Sequence, residues 1–178
     1  MKSLPILPVL LLAAGICSAQ DFGSKAAHSV SYQPPEISTL TRGRPQTVNL
    51  QFRIASGFHI NSNMPKQDYL KKTELKLDPP TDTAIGKLTY PEGEDRGFAF
   101  APDEKLSVYT GDFVIGVTVH PLKSVVPAKY AIHGTLKYQA CDNAACYPPK
   151  QLPVSFEVKV VKSTAENKRR NPGQSPRR

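Results

Sequence analysis

From Thr47 to Ile54 apolar and polar residues alternate over eight positions, Val48, Leu50, Phe52 and Ile54 against Thr47, Asn49, Gln51 and Arg53. Successive side chains of a strand point to opposite faces, so this pattern predicts a strand with one buried face. Thr73 to Leu77 repeats it, with Leu75 and Leu77 inward. Downstream the alternation is longer. Phe113, Ile115, Val117 and Val119 share one face, then Tyr130, Ile132, Leu136 and Tyr138, then Val154, Phe156, Val158 and Val160. Asp78-Pro79-Pro80, Pro91-Glu92-Gly93, Thr110-Gly111-Asp112 and Val126-Pro127 supply the breakers between them. No stretch combines a helical period with caps. Many short strands and 17 prolines predict an all-β immunoglobulin-like β-sandwich. The tryptophan and the distant cysteine pair that staple antibody-type sandwiches are missing, so the core is expected to hold by packing.

The ends of the chain read differently. Met1-Lys2-Ser3, an apolar run from Leu4 to Ile16 and Cys17-Ser18-Ala19-Gln20 form the three regions of a signal peptide, with cleavage expected after Ala19. The run is shorter than the roughly 20 apolar residues a membrane span needs. Ile16 is bulky where lipoprotein processing at Cys17 wants a small residue, so Cys17 is expected to leave with the signal. Residues 20–35 read as a flexible leader, 36–162 as the domain and 163–178 as a disordered basic tail. No second apolar segment follows, and the mature product is expected to be exported and soluble.

Charge narrows the function. The formal net charge of +8 falls to +7 without Lys2, and the tail holds +4 of it through Lys168, Arg169, Arg170, Arg177 and Arg178 against Glu166. The folded part is only mildly basic, which argues against nucleic-acid binding and leaves the tail a solvating end or a weak contact for anionic surfaces. Neither a nucleotide fingerprint nor a phosphate loop nor a Ser/His/Asp pattern is present.

Chemistry concentrates in Tyr138-Gln139-Ala140-Cys141-Asp142-Asn143-Ala144-Ala145-Cys146-Tyr147-Pro148-Pro149. Once Cys17 is gone its cysteines stand alone, in a compartment where disulfides persist. They fall where the strand ending at Ala140 turns back toward Leu152. Asp142-Asn143 suit a turn, and two prolines stiffen the chain beyond Tyr147. A disulfide here is a structural clip or a redox centre. As a clip it is weak: closing six residues is worth about 2 kcal/mol, against about 4.7 for a hundred. A short surface ring is open to another protein's thiolate. The residues alone leave both readings standing. A zinc site is not expected, because C-x₄-C has no second cysteine pair and His28, His59, His120 and His133 are scattered; Met64 alone makes no copper site. No cofactor is expected.

Tyr138 to Cys141 and Cys146 to Pro149 resemble the cysteine segment of the N-terminal periplasmic domain of the DsbD thiol:disulfide interchange proteins. Gly57 to Asn63 and Lys87 to Gly93 are similar to two further segments of that domain, in one consistent order from Gln33 to Val161. The resemblance implies an immunoglobulin-like periplasmic module whose Cys141 and Cys146 cycle between dithiol and disulfide, relaying electrons between thioredoxin-fold partners, with Cys146 the sulfur attacked. It also implies an aromatic-tipped cap loop. Phe98 is the first candidate and Phe100 the second, the alternative being ordinary core aromatics. Glu94 and Asp95 would raise the cysteine pKa by their charge, or else form a solvated loop. Tyr138 and Tyr147 would wall the site or simply pack. His59 is expected to satisfy backbone groups. The family's long proteins continue into a membrane domain and a thioredoxin-like domain, so this chain is expected to draw on a separate reductant. The competing class is a binding or structural module with a purely structural hairpin disulfide.

Overall fold

A computed structural model describes residues 28–163; the expected signal peptide and nearly all of the expected tail lie outside the described residues. The described chain is all β. Its strands are β1 (Val30–Gln33), β2 (Ser38–Thr41), β3 (Gln46–Ile54), β4 (His59–Asn61), β5 (Glu74–Asp78), β6 (Thr83–Thr89), β7 (Glu94–Phe98), β8 (Ala101–Tyr109), β9 (Asp112–Pro121), β10 (Lys129–Tyr138), β11 (Ala140–Cys141) and β12 (Lys150–Val161).

They form three four-stranded sheets, ordered β1-β3-β9-β6, β2-β12-β10-β5 and β11-β4-β8-β7. The first two face each other as an immunoglobulin-like sandwich, and the alternation read from the sequence fills the space between them. Leu50, Ile115, Val117 and Val119 of one sheet and Ile132, Leu136, Phe156 and Val158 of the other all belong to one core cluster. Burying a side chain of this size is worth about 1.5–3 kcal/mol, so the core rests on many such contributions. β10 and β12 pair over ten positions, from Lys129↔Lys159 to Tyr138↔Lys150. Gly134 lets β5 approach β10 closely: a Cβ there would lie 2.2 Å from the Lys76 carbonyl oxygen and 2.6 Å from a Leu77 methyl.

The leader expected over 20–35 is corrected at its end. Val30–Gln33 is a strand, paired antiparallel with β3 from Val30↔Ile54 to Gln33↔Gln51. Val30 is buried, and the Tyr32 ring packs on Phe52 with centroids 5.2 Å apart. Pro34-Pro35 then carries the chain across to the other sheet, where β2 runs parallel to β12. Proline suits that crossing because it needs no ladder donor.

The third sheet carries Cys141, on β11, with Cys146 in the turn that follows. Alternation gives its first two strands distinct faces. Ala140 is paired with Ile60, and both join the core cluster; Cys141 is paired with His59, and their side chains therefore share the outer face.

Candidate functional site

Cys141 and Cys146 form a disulfide with a Cα separation of 3.9 Å and a sequence separation of 5. Their environments differ. Cys141 is 0% exposed, on the outer face of β11, whereas Cys146 is exposed in the turn after it. One sulfur is thus carried by the residue facing solvent and the other by a residue sealed into the sheet.

The turn is held by more than the disulfide. Asp142 Oδ1 accepts hydrogen bonds from the Ala144 and Ala145 backbone N–H groups, both at 2.9 Å, and the Asp142 N–H donates to the Ala145 carbonyl. The Tyr147 hydroxyl donates to Asp142 Oδ2 at 2.7 Å. The Tyr147 N–H donates to the Ala140 carbonyl, while the Gln139 side chain donates to the Tyr147 carbonyl at 3.1 Å. Asp142 therefore does more than favour a turn: it is the carboxylate of the cysteine ring. Tyr147, which is buried and packs against Phe58, walls this side; Tyr138 lies in the core cluster.

On the other side stands the hairpin of β7 and β8. Its two-residue tip, Ala99-Phe100, comes after a register shift at Gly97/Phe98 that leaves Phe98 opposite Ala101. The Phe98 ring lies flat on the His59 imidazole, with centroids 3.9 Å apart and planes 15° apart, and Phe100 stacks on Phe98 at 5.4 Å. Because His59 is the cross-strand partner of Cys141, Phe98 roofs the strand position next to the buried cysteine. Phe100 is the more exposed of the two rings.

The acidic candidates separate. Glu94 shares a strand face with Phe98 and is paired with Arg96, whose Nε and Nη2 donate to Oε2 at 2.9 and 2.6 Å. Asp95 has the opposite parity and is paired with Lys66. Both carry a cation partner at the surface, and Asp142 is the carboxylate that touches the cysteine turn.

His59 departs from the expected backbone partner. Its Nε2 is buried and finds no hydrogen-bond partner among the described residues. Burial first, then the positive charge of Arg96, push its pKa down to about 4, while Asp142 pulls weakly the other way. The imidazole is therefore neutral at pH 7. Beside it, a cleft of about 450 Å³ runs past Gly57, Phe58, His59, Arg96, Phe98 and Asn143. Among the described residues no three His, Cys, Asp or Glu side chains cluster as a metal site, and no helix is long and apolar enough to cross a membrane.

An immunoglobulin-like sandwich that presents a buried and an exposed cysteine in one surface turn, beside an aromatic hairpin tip, fits thiol:disulfide exchange. The chain belongs to the family described as thiol:disulfide interchange protein DsbD, N-terminal, whose model matches residues 30–157. No curated protein matches the sequence. Among solved structures the chain is similar to the reduced DsbD N-terminal domain of Neisseria meningitidis, at 22% identity over 64% of this chain and 78% of that chain, TM-score 0.41. It is also similar to a structure of the complex between the DsbD N-terminal and PilB N-terminal domains of the same organism, at 22% identity over 61% and 73%, TM-score 0.40.

Proposed function

We propose that the chain is a periplasmic electron relay, exported by residues 1–19, which exchanges its disulfide with thioredoxin-fold proteins through Cys141 and Cys146. The observation that carries this reading is the asymmetry of the pair, Cys141 sealed and Cys146 exposed. An incoming thiolate reaches Cys146, bonds to its sulfur and expels Cys141 as the leaving thiolate; a second thiolate of the donor then resolves the mixed disulfide and leaves the pair reduced. Toward a client the sequence reverses: Cys146 attacks the client disulfide, and Cys141 attacks Cys146 and releases the client in its dithiol form. Phe98 on His59 restricts approach from the hairpin side, and Tyr147 from the other.

A purely structural clip is less favoured. The Asp142 hydrogen bonds hold the turn alongside the cross-link, and the ring adds only about 2 kcal/mol. The test is a Cys141→Ala variant whose Cys146 is first converted to a mixed disulfide with an aryl thiol. A thioredoxin-fold reductase lacking its second cysteine should attack Cys146, expel the aryl thiolate and accumulate as a protein mixed disulfide, and the unmutated pair should equilibrate with a glutathione or dithiothreitol buffer. No trapped adduct, together with a potential below about −300 mV, would return the pair to a structural role.

A further inference from the structure

We infer that His59 is the proton acceptor for Cys141, taking the thiol proton when Cys141 turns from bystander to nucleophile, an assignment that rests on the exchange reading of the pair. A sealed thiol is a poor nucleophile, since exchange needs the thiolate and burial favours the protonated form. Water cannot readily collect the proton of a residue that is 0% exposed. The group placed to do so is the cross-strand neighbour. His59 and Cys141 are directly opposite in the β4–β11 ladder and share its outer face, which puts their Cβ atoms roughly 4.5–5.5 Å apart. The Nε2 of that imidazole is buried without a hydrogen-bond partner among the described residues, a costly state for a polar atom that is relieved by a donor appearing beside it. Reduction of the disulfide creates that donor, the Cys141 S–H.

The groups facing His59 set the balance. Arg96 of β7 opposes a second positive charge, and Asp142 of the cysteine turn favours one. Tyr147, from the same turn, spends its hydroxyl on Asp142. Arg53 and Asp112 in the cleft wall pair with each other. In the disulfide form the imidazole stays neutral. In the dithiol form the imidazole accepts from the Cys141 S–H; once the proton has passed, the thiolate stabilises the imidazolium, and the proton remains within the pocket under the Phe98 ring. In the resolving step the Cys141 S–H bond breaks, its proton passing to Nε2 and its electron pair staying on sulfur. That sulfur bonds to the Cys146 sulfur, and the bond from Cys146 to the partner breaks with its electron pair leaving on the partner's sulfur. The pair is oxidised to the disulfide and the partner is reduced.

A small probe isolates the step. Reduced protein mixed with an aryl disulfide such as 5,5′-dithiobis(2-nitrobenzoate) releases one aryl thiolate when Cys146 attacks the reagent and a second, in a concentration-independent phase, when Cys141 attacks the Cys146 sulfur and resolves the adduct. His59→Phe keeps a ring beneath Phe98 and removes the acceptor. Its second phase should slow about thirtyfold at pH 7 and climb about tenfold per pH unit toward the ordinary thiol pKa of about 8.5, whereas the unmutated protein holds its rate between about pH 6 and pH 8. A variant with the unmutated rate and profile would overturn the assignment. Independently of any variant, the His59 ring followed by NMR should titrate near about 4 in the disulfide form and distinctly higher in the dithiol form. Equal values in both forms would overturn it as well. A His59 shift on reduction with no protein partner ever trapped would support the proton site while refuting the relay.

Discussion

Replacing Asp142 by alanine tests whether the cysteine turn is preorganised by its carboxylate. Two backbone N–H groups, of Ala144 and Ala145, lose their acceptor at 2.9 Å, and the Tyr147 hydroxyl loses its own at 2.7 Å. A hydrogen bond is worth about 1 kcal/mol net, and the partial exposure of Asp142 argues against the larger values for charged acceptors, so the two backbone bonds hold the turn by about 2 kcal/mol. Turn and disulfide favour each other, because a formed turn brings the sulfurs together and a formed disulfide closes the turn. Losing the carboxylate therefore weakens the disulfide by up to that amount. Removing a negative charge also eases ionisation of the reduced cysteines, which acts in the same direction. With 30 mV equivalent to about 1.4 kcal/mol, the potential should become less negative by up to about 40 mV. Equilibration with dithiothreitol buffers at pH 7, acid quenching and counting of alkylated cysteines by mass would measure it. Asp142→Asn, which keeps an acceptor oxygen, should move about half as far. A potential unchanged within about 10 mV, or more negative, would refute the preorganisation argument.

Phe98→Ala removes the stack on His59; at about 0.5–1.5 kcal/mol for an aromatic pair, reduction of the disulfide by dithiothreitol should quicken about two- to twelvefold, and an unaltered rate would show that the ring is no barrier. Gly134→Ala forces a methyl against the Lys76 carbonyl and Leu77, and should cost about 1–3 kcal/mol in urea unfolding of the oxidised protein, whereas a neutral result would mean β5 yields freely. His59 gives a pH signature. Its folded pKa of about 4 lies below the ordinary 6.5, so the unfolded chain binds the extra proton. Its contribution to stability is present above pH 6.5 and is lost as pH falls toward 4. His59→Phe should flatten the fall in urea midpoint across that window, and an equal slope in both proteins would assign the fall to other groups.

Four of the long strands were legible because one buried face imprints a period on eight or more residues, whereas the nine-residue β8 runs exposed and then buried with no alternation. β3, β9, β10 and β12 each pack a full row of side chains into the core, and their alternation survives any uncertainty at the ends. β1 was not, since four residues before two prolines offer only Val30 and Tyr32 as evidence. β7 is illegible for another reason: Glu94, Asp95, Arg96 and Gly97 are all exposed, and the strand exists because β8 pairs with it, which no local pattern records. The same blindness covers the site. The cysteines stood out by chemistry, but the neighbour of Cys141 is set by register with a strand some eighty residues earlier, and a three-residue strand such as β4 gives no periodic sign that His59 faces outward while Ile60 faces the core. Adjacent Glu94 and Asp95 were indistinguishable until strand parity separated them.

The register shift between Gly97 and Phe98 gives the hairpin a built-in knuckle. Below it the rungs from Glu94↔Val108 to Gly97↔Lys105 tie the hairpin into the cysteine-bearing sheet; above it the single Phe98↔Ala101 pair carries the aromatic rings. For the exchange proposed above, uncovering Cys141 would ask for the bending of a fingertip, with the finger left splinted. In amide hydrogen exchange such a joint has a distinct signature: protection should break off at the knuckle, and reduction of the disulfide should change the amides above it while leaving those below untouched.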